Sequence, residues 1–237
     1  MTHAIDERVA ALDWPALHQS LWQHGYALTP AVLTADECRT VAAMFGDDER
    51  FRSHIDMARY RFGEGEYKYF AAPLPPLVQQ LRESLYPQLA PLANAWMEAL
   101  DDKTRFPSTL DDLLANCARH GQKRPTPLLL RYGPGDYNCL HQDLYGDVYF
   151  PLQTAAFLNA PGVDYTGGEF VLLEQRPRAQ SAAEVIVPPQ GSLVMFTTRI
   201  RPARGARGYY RVNMRHGVSR VRSGQRHTLG VIFHDAK

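Results

Sequence analysis

Leu128-Leu-Leu-Arg-Tyr-Gly-Pro-Gly-Asp-Tyr-Asn-Cys-Leu-His-Gln-Asp143 is the stretch on which the reading of this chain turns. Two β-like runs, 126–132 and 137–143, flank a Gly-Pro-Gly turn, and the second ends in His141-Gln-Asp143. Successive side chains of a strand point to opposite faces, so an imidazole and a carboxylate two residues apart project together and can grip one small ion. A single His-x-Asp is common by chance. Two later features raise it: His216 in Met-Arg-His-Gly-Val, and Arg226 ten residues further on in Arg226-His-Thr-Leu-Gly-Val-Ile-Phe.

Outward from that stretch, the C-terminal half is strand-rich. Candidate strands are 126–132, 137–143, 148–158, 168–174, 184–187, 192–197, 209–214, 217–221 and 227–234, separated by turns bearing Gly or Pro. The N-terminal half reads differently. A short helix over Trp14–His24 precedes a strand over Gly25–Thr29, and Thr34-Ala-Asp-Glu37 is a capping box opening a helix to about Phe45. Leu77, Leu81, Leu85, Leu89, Leu92 and Trp96 recur at helical intervals, broken by Pro87 and Pro91, which predicts two helices or one kinked helix. A further helix follows with Ser108 as N-cap. Helices first and many short strands afterwards predict an α+β chain: a double-stranded β-helix (jelly-roll) core with N-terminal helices packed on one sheet. With no repeat and no low-complexity linker, we expect one domain over 1–237, with 1–125 as helical support and 126–237 as the jelly-roll core.

Composition sets bounds on function. Hydrophobic residues at 45% and charged ones at 22% are ordinary for a globular protein. No run approaches the roughly 18 apolar residues of a membrane span, and the first residues lack the pattern of a signal peptide, so a cytoplasmic monomer or weak dimer without membrane contact is expected. Three widely spaced cysteines, Cys38, Cys117 and Cys139, indicate neither a disulfide framework nor a thiolate metal site. Cys139 is two residues before His141 and could share its face. Net charge is +1 but unevenly spread: residues 1–50 hold 8 acids and 3 bases, 201–237 hold 9 bases and 1 acid.

His141, Asp143 and His216 together are the two-histidine, one-carboxylate donor set of non-haem Fe(II) sites, which leaves coordination positions for a co-substrate and O2. His227 and His234 compete with His216 for the third place. A 2-oxo acid chelating the iron carries a distal carboxylate that needs a cation inside the barrel. Arg226 suits it, because a guanidinium meets a carboxylate bidentately and stays charged when desolvated. Thr228, on the same strand face, can add a hydroxyl, and Tyr132 is a further, weaker contact.

These features resemble the Fe(II)/2-oxoglutarate-dependent dioxygenases. The resemblance runs through Arg131-Tyr-Gly-Pro-Gly135, His141-Gln-Asp143, Gly167-Gly-Glu-Phe170, Pro188 to Phe196, His216-Gly-Val218 and Arg226-His-Thr228, in an order similar to the prolyl-hydroxylase-like branch. More narrowly, Met57-Ala-Arg-Tyr-Arg-Phe-Gly63, Gln153 and Glu174 to Ser181 resemble a prokaryotic oxygenase family catalogued as acting on alkylated, damaged nucleic acid. The resemblance implies Fe(II), 2-oxoglutarate and O2, release of succinate and CO2, and hydroxylation of a C–H bond or oxidative demethylation. A prolyl residue or small metabolite as substrate is the alternative; a non-catalytic jelly-roll binding module is the reading from another class.

For the substrate, two segments stand out. Phe51–Phe70 mixes glycines, aromatics and bases, which predicts a mobile loop or a hairpin closing over substrate, with Arg59, Tyr60, Arg61 and Tyr67 as contacts. The alternative is a half-buried hairpin with solvated charges. Between residues 199 and 226 stand nine arginines (199, 201, 204, 207, 211, 215, 220, 222 and 226), either lining a phosphate groove or forming a solvated loop and strand-edge charges paired with acids.

Overall fold

The computed structural model describes residues 4–237. Helices α1 (Ile5–Ala10) and α2 (Trp14–His24) lead into β1 (Tyr26–Ala31) and α3 (Ala35–Ala43). Next come β2 (Phe51–Asp56), the one-turn α4 (Met57–Tyr60), β3 (Gly63–Glu64), β4 (Glu66–Phe70), α5 (Pro76–Ala99) and α6 (Leu110–Arg119). The remainder is all strand: β5 (Leu128–Tyr132), β6 (Tyr137–His141), β7 (Leu152–Phe157), β8 (Tyr165–Gly167), β9 (Phe170–Gln175), β10 (Ala182–Ile186), β11 (Ser192–Thr197), β12 (Ile200–Gly205), β13 (Gly208–Val218), β14 (Val221–Gly224) and β15 (Arg226–Val231). A seven-stranded sheet of order β1-β11-β7-β15-β5-β4-β2 faces a second sheet of order β10-β9-β13-β6-β3, to which β12 adds by pairing with β13.

Strands β7 and β11 are buried along their whole length, which sets the layering. On one face Leu152, Ala156, Leu193 and Met195 join Leu229 and Val231 of β15 in a core with helix residues such as Leu21, Val41, Leu85 and Trp96. On the other face Ala155, Phe157, Val194 and Phe196 meet Phe170, Leu172, Val212 and Met214 of the second sheet. The chain is thus the α+β, helix-backed jelly roll that the order of elements predicts.

Helix α5 is one continuous helix of 24 residues, about 36 Å long. Its buried face of Leu81, Leu85, Leu89, Ala93 and Trp96 runs straight past Pro87 and Pro91, so packing overrides the local break. Buried Arg82 ties it to the chain end, donating to the carbonyls of Ile232 and Phe233 at 2.9 Å each and to Asp235 at 2.7 Å. The α3 capping box forms as read: the Glu37 amide donates to Thr34 at 3.2 Å and the Thr34 amide to Glu37 at 2.8 Å. The N-cap of α6 is Thr109, not Ser108, its hydroxyl accepting from the Asp112 amide.

Of the readings of Phe51–Phe70, the half-buried hairpin is the one found: β2 and β4 form an antiparallel pair and β4 also pairs with β5. The alternation is disguised by Lys68, which is buried with its ammonium donating to the Phe45 carbonyl at 2.8 Å, paired with Asp48 at 2.5 Å and over the Phe45 ring. Residues 200–205, read as a solvated loop, are strand β12. Finally, β13 runs unbroken through Gly217, where a Cβ would lie 2.7 Å from the Asn138 carbonyl; the glycine permits close strand approach there and marks no turn.

Arg82→Ala should strand a buried carboxylate and two carbonyls, costing about 3–5 kcal/mol in urea unfolding. A second expectation concerns acid. Burial pushes the His227 imidazole, also flanked by Arg131 and Arg226, and the His234 imidazole down to about 4 from 6.5. A histidine whose folded value lies below its unfolded one binds protons more readily unfolded. Its contribution is therefore whole above pH 6.5 and lost as pH falls towards 4. The urea midpoint should drop across that window, less steeply in His227→Asn.

Candidate metal centre and cavity

The pairing of β6 with β13 makes His141 and His216 direct cross-strand partners, with ring centroids 4.2 Å apart. Asp143 lies two residues beyond the end of β6, in coil and not on the strand as its spacing suggested, and still turns back to them. Its Oδ1 is 3.6 Å from His141 Nε2 and its Oδ2 is 3.2 Å from His216 Nε2. One donor atom from each residue lies within 4.8 Å of the others, the arrangement that holds a single metal ion. His141 Nδ1 lies 2.8 Å from the Cys139 carbonyl. Donation there fixes the tautomer that presents Nε2 to the centre.

Electrostatics suit a cation. Burial alone would raise the Asp143 carboxyl, but His141, His216 and a 2.7 Å hydrogen bond from the Tyr145 hydroxyl hold it well below the usual carboxylate range. Burial, aided by His141, pushes His216 down, favouring the neutral imidazole that ligates metal. The rival histidines are elsewhere. His227 approaches Asn159 at 3.1 Å, and His234 Nδ1 accepts from the Phe150 amide at 3.1 Å.

The three residues line a cavity of about 350 Å³. Within it Arg226 is 1% exposed, donating from Nη1 to Thr228 Oγ1 at 2.8 Å, while its Nε and Nη2 have no partner. The rings of Tyr132 and Phe157 flank the guanidinium at 5.4 and 5.2 Å. Tyr132 is opposite Arg226 in the β5–β15 register, and its hydroxyl accepts from Asn138 at 3.2 Å. A Cβ on Gly168, whose φ is +64°, would lie 2.9 Å from Arg226 Cδ, so the Gly167-Gly168 turn leaves room for this side chain. A buried guanidinium with two unpaired nitrogens is the complement of a carboxylate, and the donor set and cavity therefore fit a metal-chelating diacid.

Of the four substrate candidates, Tyr67 and Arg61 line the cavity. Arg59 pairs with Asp56 at 3.5 Å in solvent, and Tyr60 is exposed, stacking on Phe62 with centroids 5.6 Å apart. The arginine-rich region also divides. Arg201 is buried against Glu174, Arg211 meets Asp102 at 3.2 Å, and Arg220 covers the Tyr137 ring at 4.4 Å. The side chains of Arg199, Arg204, Arg207 and Arg215 are exposed and make no hydrogen bond or ion pair among the described residues. Cavity residues not singled out as site residues from the sequence include Tyr145, Gln153, Phe170 and Phe196, while Tyr69, a stacking candidate like Tyr67, also lines it. Tyr145, two beyond Asp143, carried a legible signal; the others needed the sheet register.

Residues 65–236 match the family described as an oxygenase catalysing oxidative methylation of damaged DNA. The chain belongs to this oxygenase family. Two uncharacterised Mycobacterium tuberculosis proteins, MT2286 and Rv2227, are each 50% identical over 167 residues, 70% of this chain and 72% of theirs. Among solved structures, a Pseudomonas putida prolyl-4-hydroxylase is similar with TM-score 0.58 and 17% identity, covering 94% of this chain and all of the other. A Burkholderia pseudomallei oxidoreductase of the 2-oxoglutarate–Fe(II) oxygenase family gives 0.50 and 14%, over 100% and 93%. The fold is that of the 2-oxoglutarate–Fe(II) oxygenases, which implies Fe(II), 2-oxoglutarate and O2. No described helix is long and apolar enough to cross a membrane.

Tyr145→Phe should leave Asp143 Oδ1 short of a donor with the ring otherwise in place. The expected loss is about 1–3 kcal/mol in chemical denaturation of the metal-free protein.

Proposed function

We propose that this oxygenase uses Fe(II), 2-oxoglutarate and O2 to oxidise N-alkyl groups of damaged nucleic acid. The observation that carries it is the pairing of the His141–Asp143–His216 cluster with a buried Arg226 whose Nε and Nη2 lack hydrogen-bond partners, in one cavity. With Fe(II) bound, decarboxylation of 2-oxoglutarate to succinate and CO2 is coupled to insertion of one oxygen atom of O2 into a substrate C–H bond.

The chain's own residues do the rest. His141, Asp143 and His216 would hold the ion, each offering one donor atom to it. Arg226 and Thr228 take the distal carboxylate, with Tyr132 as a wall and the Gly168 turn giving clearance. Tyr145 orients Asp143 by binding Oδ1. The rings of Phe170 and Phe196, centroids 6.0 and 4.7 Å from that of His216, keep water from the buried ligand.

Oxygen insertion cannot add a methyl group, so the chemistry compatible with the family's description is methyl removal. An N–CH3 becomes N–CH2OH; the C–N bond then breaks, the hydroxyl proton passes to nitrogen, and formaldehyde leaves. Reaching a cavity of this size requires a single-stranded or flipped-out base. The family description supports the nucleic-acid substrate, and the exposed arginines 199, 204, 207 and 215 are available to phosphates.

Succinate release with iron, ascorbate and 2-oxoglutarate tests the reaction class. His141→Ala, Asp143→Ala and His216→Ala should each abolish it together with Mn(II) binding at the centre; a variant retaining both would remove its residue from the ligand set. Arg226→Met should raise KM for 2-oxoglutarate on the order of 100-fold with little effect on Mn(II) binding, the scale of a severed buried ion pair.

A further inference from the structure

The cavity has a second unsatisfied polar group, far from Arg226. Gln153 is 2% exposed, lines the cavity, and its Nε2 has no hydrogen-bond partner. Alternation along β7 places it on the same face as Ala155 and Phe157, and its cross-strand partner is Phe196, which packs on His216. Thr228 pairs with Phe157 instead, four residues and about 13 Å along the strand. A diacid stretched from the triad to Arg226 therefore lies on the Thr228 side, and Gln153 faces the space left over. That space is walled by Tyr67, Tyr69, Tyr145, Leu128 and Ile232. The sole carboxylate lining the cavity among the described residues is Asp143, already held by two histidines and Tyr145.

We propose that this subsite selects a neutral N-alkylated nucleobase carrying a carbonyl beside the alkylated nitrogen, read by the Gln153 amide, and discriminates against cationic alkylated bases. The inference rests on the nucleic-acid reading above. The Gln153 Nε2–H groups are donors, the complement of the carbonyl oxygen beside an N-alkylated nitrogen that has no N–H of its own. A cationic base would be desolvated among tyrosines with no free carboxylate in the cavity lining, and an uncompensated buried charge is disfavoured more than tyrosine ring faces can return. A neutral lactam leaves nothing unpaired and satisfies the orphan amide.

The test uses the full chain with Mn(II), which replaces iron without turnover, and 2-oxoglutarate. Single-stranded oligonucleotides differ at one base: N3-methyluracil, its near-isosteric cation N3-methylcytosine, or unmodified uracil. Fluorescence anisotropy should show the N3-methyluracil strand bound about tenfold or more tighter than the other two, the range for one well-placed hydrogen bond and an avoided charge. Gln153→Leu should erase most of that preference while 2-oxoglutarate affinity by calorimetry is retained, and Gln153→Glu should turn the preference towards N3-methylcytosine. Equal or tighter binding of N3-methylcytosine by the wild type overturns the inference and leaves the nucleic-acid reading standing. No discrimination of either lesion from uracil overturns both. Loss of 2-oxoglutarate affinity in Gln153→Leu would assign the amide to the co-substrate and also overturn the inference.

Discussion

The antiparallel register of β6 on β13 is the constraint on which the functional half of the molecule depends. It sets His141 opposite His216, and a slip of one residue would send one imidazole to the outer face of the sheet. Gly217 enforces it, because no side chain fits between the strands where β13 passes the Asn138 carbonyl. β9 grips the other edge of β13 from Asn213 to Val218, so the segment carrying His216 is held on both sides. The third member needs no strand. Asp143 is placed by the chain leaving β6 and by Tyr145 behind it, which is why a carboxylate in coil still meets two histidines in a sheet.

A second consequence is a group of unmet polar atoms in one cavity, though Ser53 Oγ, Trp96 Nε1, Arg201 Nε and His234 Nε2 are also buried without partners outside it. His216 Nδ1, Arg226 Nε and Nη2, and Gln153 Nε2 are buried there without partners. Elsewhere buried charges are matched: Arg82 with Asp235, Lys68 with Asp48, Arg201 with Glu174. Buried polar groups normally find partners, so a fold that satisfies its scaffold charges and leaves its cavity wanting stores binding energy where ligands are to arrive. The cost is borne by packing that two fully buried strands provide.

How much of this was legible in the sequence follows from range. His141 and Arg226 could be singled out because each sits in a short strand whose alternation is local, and Arg226 and Thr228 announce a shared face by spacing alone, whereas Asp143 reaches the cluster from coil. The capping box of α3 was legible for the same reason. What escaped depended on contacts between distant segments. Lys68 hides a strand because its charge is neutralised by Asp48 and a Phe45 carbonyl some twenty residues away. Arg201 hides one because Glu174 accepts it in the interior. Prolines 87 and 91 suggest a break that α5 avoids through tertiary packing, and the break expected between residues 214 and 217 is absent because β13 runs through it. Gln153 is an ordinary polar residue until the β7–β11 register sets it beside Phe196 and His216.

The cavity's two ends answer different demands. Arg226 is a permanent cation that burial lowers but does not discharge. It is tuned for a carboxylate and would repel a cationic group brought near it. The opposite end is aromatic, with a carboxamide as its polar handle. Between them sits a cluster whose carboxylate is committed to its own histidines. Apart from Arg61, the charged side chains of the cavity lining belong to the metal cluster and Arg226, and Gln153 offers hydrogen bonding without a charge of its own. The residue proposed to read the base thus lies on β7, away from the two strands that carry His141 and His216.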